Sequence, residues 1–292
     1  MTGVKFMFKL SIKKRGLLFD QIPIAIARIY KVAMRILCGL GIAFAIGDAA
    51  NACASDHQLA DAGTVTSIGD RFEINLHNGR TLLPSSLSLF QVANPGPKFA
   101  KIARQYLQAN AIGRKAMTAS ATLAPDRWGR IPSTITIDGP SGLWDVTERM
   151  LEDGLARYSP GISHEGCRAR YLAAEGRARA AALGLWEDPY YAVVKADRAG
   201  DFASRSGEFL IVEGRVWSVS QTAARFYVQF GPLRGVDFAL TVSKHSSKTF
   251  ERVGMRLGSL LGKRLRVRGL LDTRFGPQIL VSHSDAIERI ER

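Results

Sequence analysis

Two charged residues in the first half of the chain have the types and local settings that bind divalent cations and phosphate groups. Asp70 follows Gly69 in a turn between alternating apolar segments, and Arg130 closes the turn Asp126–Arg130. Carboxylate oxygens are the ligands that hard divalent cations take. A guanidinium binds phosphoryl oxygens through paired hydrogen bonds and neutralises their charge. Asp70 has a side chain of the first kind, and Arg130 has one of the second.

Further motifs follow Arg130 in a fixed order. They are Asp153-Gly154-Leu155-Ala156-Arg157, Glu175-Gly176-Arg177-Ala178-Arg179 and Gly184-Leu185-Trp186. With the turn that ends at Arg130, their order and spacing resemble the second half of the thermonuclease (staphylococcal-nuclease-like) family. The resemblance implies an OB-fold barrel that hydrolyses nucleic-acid phosphodiesters with calcium.

The resemblance also implies roles for individual residues. Gly69-Asp70 matches the family's Gly-Asp-Thr turn, so Asp70 keeps a calcium carboxylate, although Arg71 replaces the Thr. Arg130 matches a phosphate-binding Arg of the family, with Trp128 at the position of the usual Tyr. Asp70 and Arg130 are thus the retained part of the catalytic set.

The middle part of that catalytic set is missing. Leu83 occupies the position of an Arg, Ser88 that of a second metal-binding Asp, and Gln91 that of the Glu base. Calcium takes about six to eight oxygen ligands, and general-base catalysis contributes about 10²–10⁴ in rate. We therefore expect nuclease activity to be lost or strongly weakened. No cofactor is expected unless activity survives, in which case the ion is calcium.

Each retained residue also has a structural interpretation. Asp70 could simply shape a turn, and Arg130 could pair with Asp126. Glu175 and Arg179 have the i,i+4 spacing of an ion pair on a helix surface. The indole rings of Trp144 and Trp186 are expected to pack in the core rather than stack on bases.

Apolar alternation and turn residues predict the elements that hold these side chains. Asn78-Gly79 favours a hairpin turn, and Gly184 favours the end of a helix. Strands are predicted over 64–68, 72–76, 82–83, 116–123 and 131–137. Helices are predicted over 98–110, 146–158 and 167–183, with a loop at 94–97.

The C-terminal part has the pattern of a second barrel. Strands are predicted over 209–217, 225–230, 238–242, 265–271 and 278–281, with a helix over 248–261 before the fourth strand, which is the OB order. The fold class is mainly β with helices (α+β): a five-stranded OB barrel of thermonuclease type, followed by a second OB-like β-barrel. The predicted divisions are 1–53 (extension and signal peptide), 54–187 (thermonuclease-like domain), 188–206 (polar linker) and 207–292 (OB-like domain).

The second barrel carries a candidate nucleic-acid-binding surface. Arg264, Arg266 and Arg268 alternate and so share one face of a strand, and Arg274 and Tyr227 are predicted nearby. OB folds bind single strands through a basic groove and aromatic stacking surfaces. The competing interpretation is a solvated outer face of a small barrel.

The N-terminus has the features of an export signal. Basic residues precede the apolar run 36–46, and Ala50 and Ala52 give the small-residue pattern of a cleavage site near Ala52. We expect a periplasmic or secreted protein; an uncleaved membrane anchor is the alternative, and Met34 is an alternative start. An oxidising compartment would permit a disulfide between Cys53 and Cys167.

The net charge of +14 suits a polyanionic partner. Eight of the Lys and Arg residues lie within the first 35 positions, so part of this charge belongs to the targeting segment. Single-stranded DNA or RNA is the leading predicted ligand, a protein partner is the rival, and membrane contact is expected only through the N-terminal segment. The alternatives to non-catalytic binding are an active calcium-dependent nuclease and an envelope protein-interaction scaffold.

Overall fold

The computed structural model describes residues 59–88, 97–119, 124–160 and 165–290. The predicted signal peptide, Gln91, Cys53 and most of the predicted loop at 94–97 lie outside these ranges. All described residues belong to one compact unit, so the two predicted domains are in contact.

The N-terminal sheet joins seven strands in the order β6-β3-β2-β1-β5-β7-β8. They are β1 (Leu59–Ile68), β2 (Ile74–Leu76), β3 (Thr81–Pro84), β5 (Lys115–Ala119), β6 (Arg130–Ser133), β7 (Ile135–Gly139) and β8 (Gly142–Asp145). A separate two-stranded ladder pairs β4 (Leu87–Ser88) with β9 (Arg157–Tyr158).

A single predicted strand at 131–137 is divided into β6 and β7. The break falls at Thr134, where the chain changes partners: Ser133 is paired with β3, and Ile135 is paired with β5. The hydrogen-bonded order therefore runs from β6 through β3, β2, β1 and β5 to β7 and β8, and β6 is joined to β7 by the chain at Thr134 rather than by a described ladder. This mixed α+β architecture is consistent with an OB-type fold of the staphylococcal nuclease kind.

Three helices pack on this sheet: α1 (Pro97–Ala111), α2 (Val146–Glu152) and α3 (Arg168–Ala180). The inward side of α1 is Ala103, Leu107 and Ala111, whereas Ile102 is exposed. Trp144 packs against the same core, as predicted.

Two motif glycines explain why α2 is shorter than predicted. The helix ends at Glu152 because Gly154 adopts φ +64°, and its carbonyl accepts the N–H of Leu185 at 2.9 Å. An ideal Cβ on Gly154 would lie 2.1 Å from the carbonyl oxygen of Leu183, and one on Gly184 would lie 2.3 Å from that of Gly154. The motifs that contain Gly154 and Gly184 therefore contact each other through backbone atoms, with no space for a side chain at either glycine.

The C-terminal sheet has the order β10-β11-β15-β16-β14-β13-β12, with β17 paired to β15. Its strands are β10 (Val194–Lys195), β11 (Phe209–Arg215), β12 (Ser218–Gln221), β13 (Arg225–Gln229), β14 (Ala239–Ser243), β15 (Arg264–Asp272), β16 (Gln278–Leu280) and β17 (Ile287–Arg289). Helix α4 (Lys244–Arg252) stands between β14 and β15. If β11 and β12 are counted as one bent strand, these pairings are compatible with the predicted OB-like order.

Helix α4 begins four residues before the predicted start at Lys248. Ser243 is its N-cap and accepts the N–H of Ser246 at 2.9 Å, which satisfies one free donor of the first turn. The helix ends before Gly254, which has φ +75°, and Leu257–Leu260 forms a separate 3-10 turn.

Residues 188–206, predicted as a polar linker, are packed rather than extended through solvent. Tyr191, Val194, Ala196 and Phe202 are buried, and β10 pairs in parallel with β11. Tyr191 joins a third core cluster that contains Phe99, Ala178, Leu185, Trp186 and Ile211. This cluster connects α1 and α3 to the second sheet and confirms that Trp186 is a packing residue.

Within the described residues, no helix is both long and apolar enough to cross a bilayer.

Candidate functional site

Asp70 and Arg130, which are 60 positions apart, line one open cleft of about 340 Å³. The cleft lies where the β1–β2 turn, the start of β3 and the turn before β6 meet. Its remaining lining residues are Arg71, Glu73, Thr81 and Trp128. The structure therefore brings together the two residues that the sequence identified as the retained catalytic set.

Arg130 is fixed by the turn to which it belongs. Oδ1 of Asp126 accepts the backbone N–H groups of Trp128 and Arg130 at 2.9 and 3.0 Å, and Oδ2 lies 2.8 Å from Nη2 of Arg130. Burial favours the protonated carboxyl, but the hydrogen bonds from Arg130 outweigh it and hold the pKa of Asp126 below its usual value. The structural interpretation of Arg130, pairing with Asp126, is confirmed.

A second carboxylate, Glu73, also holds Arg130 and was missed in the sequence. Its Oε1 lies 3.5 Å from Nη1 of Arg130, and its Oε2 accepts the N–H of Arg71 at 2.8 Å. An ideal Cβ on Gly69 would lie 2.5 Å from Oε2, so a larger residue at position 69 would displace this carboxylate from its present position. The sequence offered one signal for this role, the position of Glu73 three residues after Asp70. The alternating pattern instead placed Glu73 in a predicted strand.

Asp70 is oriented towards solvent. Its side chain is 94% exposed, and it forms an ion pair with Arg104 of α1. Among the described residues, no three His, Cys, Asp or Glu side chains gather as a metal site would require. Two carboxylates, each already paired with an arginine, do not fit the calcium ligand set that the family resemblance implied.

The positions identified as lost add no charge to the cleft. Thr81 is paired in register with Arg130, and Leu83, two residues later, lies on the same side of β3. Ser88 lies in the other ladder, where it pairs with Arg157 of β9. The family resemblance implies an arginine on this face of β3, and the face is instead uncharged.

Trp128 is the prominent aromatic surface of the cleft. Its side chain is 55% exposed, with the guanidinium carbons of Arg127 and Arg130 at 3.9 and 4.6 Å from its ring centroid. An exposed indole with two guanidinium groups near it combines an aromatic surface with positive charge.

The basic face predicted on the strand that contains Arg268, now β15, is not a free surface at that residue. The side chain of Arg268 is 0% exposed, with Nη1 2.9 Å from Oε2 of Glu175 and 3.0 Å from the carbonyl oxygen of Tyr158. It also pairs with Glu288. The assignment of Arg268 to nucleic-acid binding is wrong, because its guanidinium is buried between Glu175 of α3 and Glu288.

The ion pair between Glu175 and Arg179 was expected on the helix surface, and that location is wrong. The carboxylate of Glu175 is buried, accepts the N–H of Tyr158 at 2.8 Å, and faces Arg268 more closely than it faces Arg179 at 3.7 Å. This motif glutamate therefore connects the two halves of the protein.

Arg264 and Arg266 are half-buried around one carboxylate. Glu213 of β11 lies 2.5 Å from Nη2 of Arg264, 2.8 Å from Nη2 of Arg266 and 3.1 Å from Nζ of Lys195. Burial raises the pKa of Glu213, but the hydrogen bonds from Arg266 and Lys195 prevail and lower it to about 2. These cations thus have a structural partner whether or not they also face a ligand.

Arg274 and Tyr227 lie in other parts of the second sheet. The largely exposed Arg274 pairs with Asp272 at 2.9 Å, and the guanidinium of Arg234 lies 5.1 Å from the Tyr227 ring. The five residues predicted as one nucleic-acid-binding set therefore do not share one set of partners.

A family model supplies the identification. The model described as Staphylococcal nuclease homologue matches residues 86–188, from β4 through α3 to the turn after Trp186. Residues 86–188 therefore form a staphylococcal-nuclease-like domain, and this family suggests nuclease-like or nucleic-acid-binding function. No curated protein matches the chain. The cleft is lined by residues from inside and outside the matched range. Trp128 and Arg130 lie inside it, and Asp70, Glu73 and Thr81 precede it.

Proposed function

We propose that this is an exported staphylococcal-nuclease-like protein that binds single-stranded DNA or RNA, with catalysis lost or strongly weakened. One observation carries the proposal: Arg130, the retained phosphate ligand, is held between the carboxylates of Asp126 and Glu73. Two carboxylates compensate the positive charge of this guanidinium. It therefore does little to neutralise the negative charge that develops on a phosphoryl group in the transition state.

Weak catalysis follows from what the cleft offers a scissile phosphate. Thr81 and Leu83 contribute no charge, and Asp70 is paired with Arg104. Removing one oxyanion-type contact typically costs about 10²–10³ in rate, and losing a general base costs about 10²–10⁴. Together these losses reduce an efficient phosphodiesterase to a binding protein.

Binding uses parts of the cleft that these pairings leave accessible. Trp128 offers an exposed ring, the exposed Arg127 precedes it in the chain, and the exposed Arg71 lines the same cleft. A base stacked on an aromatic side chain contributes about 1–3 kcal/mol, and phosphate contacts add affinity that depends on salt.

Export is supported by cysteine chemistry as well as by the N-terminal pattern. Cys167 is buried and disulfide-bonded, and Cys38 and Cys53, the other cysteines of the sequence, lie outside the described residues. Disulfides persist in oxidising compartments such as the periplasm. The proposed pair is Cys53–Cys167, in a protein cleaved near Ala52.

A second candidate function is a calcium-dependent phosphodiesterase, and Glu73 is the observation that favours it. Glu73 adds a second carboxylate beside Asp70 on the cleft. Against it stands the occupation of both carboxylates by Arg104 and Arg130.

Fluorescence anisotropy with a labelled single-stranded oligonucleotide tests the binding proposal. We expect the affinity to fall steeply with salt, with a slope of about −0.7 per neutralised phosphate. Trp128→Ala and Arg127→Ala should weaken binding, whereas Arg252→Ala, at an exposed position at the end of α4, should not. An affinity that is unchanged between low and high salt contradicts nucleic-acid binding and favours a protein partner.

A further inference from the structure

A second cavity, of about 440 Å³, opens on the C-terminal sheet where β11 bends into β12. Trp217 stands at this bend with its side chain 62% exposed. The bend itself is fixed: the N–H of Trp217 donates to the carbonyl of Gln229 at 2.8 Å, and the N–H of Val216 donates to that of Lys263 at 2.9 Å. The indole is therefore held out to solvent by ordered backbone.

The floor of the cavity is tightly packed and apolar. An ideal Cβ on Gly214 would lie 2.6 Å from Cβ of Ala196 and 2.9 Å from the Phe230 ring. A larger residue at position 214 would overlap Ala196 and Phe230, so glycine permits the close packing of this part of the lining.

The walls carry more cations than carboxylates. Lys195, Arg215 and Arg264 line the cavity together with Asp197 and Glu213. Glu213 already lies within 3.1 Å of Lys195 and closer to Arg264. Arg215 donates to the carbonyl of Gly262 at 2.8 Å, which is an uncharged partner, so its charge is not neutralised by that contact.

We propose that this cavity is a second nucleic-acid subsite, which takes one nucleotide of a single strand. The base stacks on Trp217, and its phosphate lies among Arg215, Lys195 and Arg264. Such a pairing of an exposed aromatic ring with cations is the chemistry that holds single strands without sequence preference. The inference rests on the proposed nucleic-acid-binding function and extends it to a surface on the second barrel.

The test measures binding of the full-length protein to a labelled oligothymidylate longer than the ~4–16 nucleotides that one OB fold covers. Trp217→Ala should weaken binding by about 5- to 150-fold, the loss of one stacked base. Trp217→Phe should restore most of this affinity because it keeps an aromatic ring. Inorganic polyphosphate, which has charge but no bases, should bind Trp217→Ala and the unaltered protein equally.

Trp128→Ala is the matched variant, because Trp128 is also an exposed tryptophan and belongs to the other proposed site. If Trp128→Ala weakens binding and Trp217→Ala does not, the second subsite is contradicted while the proposed function stands. If only Trp217→Ala weakens binding, the subsite is supported and the placement of binding at the Trp128 cleft fails. If the unaltered protein binds no oligonucleotide, both proposals fail.

An equal loss of oligonucleotide and polyphosphate binding in Trp217→Ala would also overturn the inference, since stacking requires a base. Circular dichroism of each variant checks folding, and Trp217→Phe separates loss of stacking from a local structural change.

Discussion

The guanidinium of Arg268 on β15 lies 2.9 Å from the carboxylate of Glu175 on α3, and both side chains are fully buried. This ion pair joins the second sheet to a helix of the staphylococcal-nuclease-like domain. Burial opposes the charged form of Arg268, but Glu175 and Glu288 prevail and raise its pKa above the usual value. The second sheet is therefore fixed to the staphylococcal-nuclease-like domain through a buried ion pair.

Removing one partner of this pair should strongly destabilise the protein. We expect Arg268→Met to lower the free energy of unfolding by about 3–5 kcal/mol, because it leaves Glu175 buried without its closest cation. Urea denaturation followed by circular dichroism measures the change. Arg177→Ala is the control: Arg177 and Glu152 form an exposed pair 3.3 Å apart, of the kind that contributes about 0–1 kcal/mol. Equal stability of Arg268→Met and the unaltered protein would show that the buried pair does not hold the two parts together.

Two glycines allow a comparison within one segment of the chain. Gly154→Ala should destabilise the protein by well over ~1 kcal/mol, because φ +64° is unfavourable for alanine and its Cβ would overlap the Leu183 carbonyl at 2.1 Å. Gly176→Ala lies in α3 with no neighbour within 4 Å of its ideal Cβ and should stabilise by about 0.5–1 kcal/mol. Thermal denaturation shows whether each variant is less or more stable than the unaltered protein. A Gly154→Ala protein as stable as the unaltered one would contradict the overlap with the Leu183 carbonyl.

Glu213 predicts a dependence of stability on pH. Its pKa is lowered to about 2 in the folded protein, from an ordinary value of 4.5, so its contribution is complete above about pH 5 and is lost as the pH falls towards 2. The shift corresponds to about 3 kcal/mol. Glu213→Gln should reduce the loss of unfolding free energy between pH 5 and pH 2, and Glu251→Gln, at an exposed position on α4, should leave it unchanged. Parallel pH profiles for the unaltered protein and Glu213→Gln would contradict the three-cation arrangement.

Much of the fold could be predicted because local patterns determine it. Alternation located the strands around Ile74 and Leu82, and Asn78-Gly79 marked the hairpin between them, where Gly79 has φ +79°. The Asp126–Arg130 turn was identified from its motif, and within it Oδ1 of Asp126 accepts the N–H groups of Trp128 and Arg130. Such features need no knowledge of distant segments.

The errors arose where a distant segment decides the outcome. Arg264, Arg266 and Arg268 do alternate, but periodicity cannot show that Arg268 is buried against α3. In the same way, Glu73 follows the pattern of an exposed strand residue. It becomes part of the cleft because the fold brings Arg130, from a distant segment, beside it.

A digestion assay with single-stranded DNA, run with calcium and with chelator on one gel, tests the central claim most directly. Because Arg130 is held by Asp126 and Glu73 and the adjoining face of β3 is uncharged, we predict a shifted, uncut complex under both conditions. Calcium-dependent digestion that Asp70→Ala and Arg130→Ala abolish would contradict this account and establish an active phosphodiesterase.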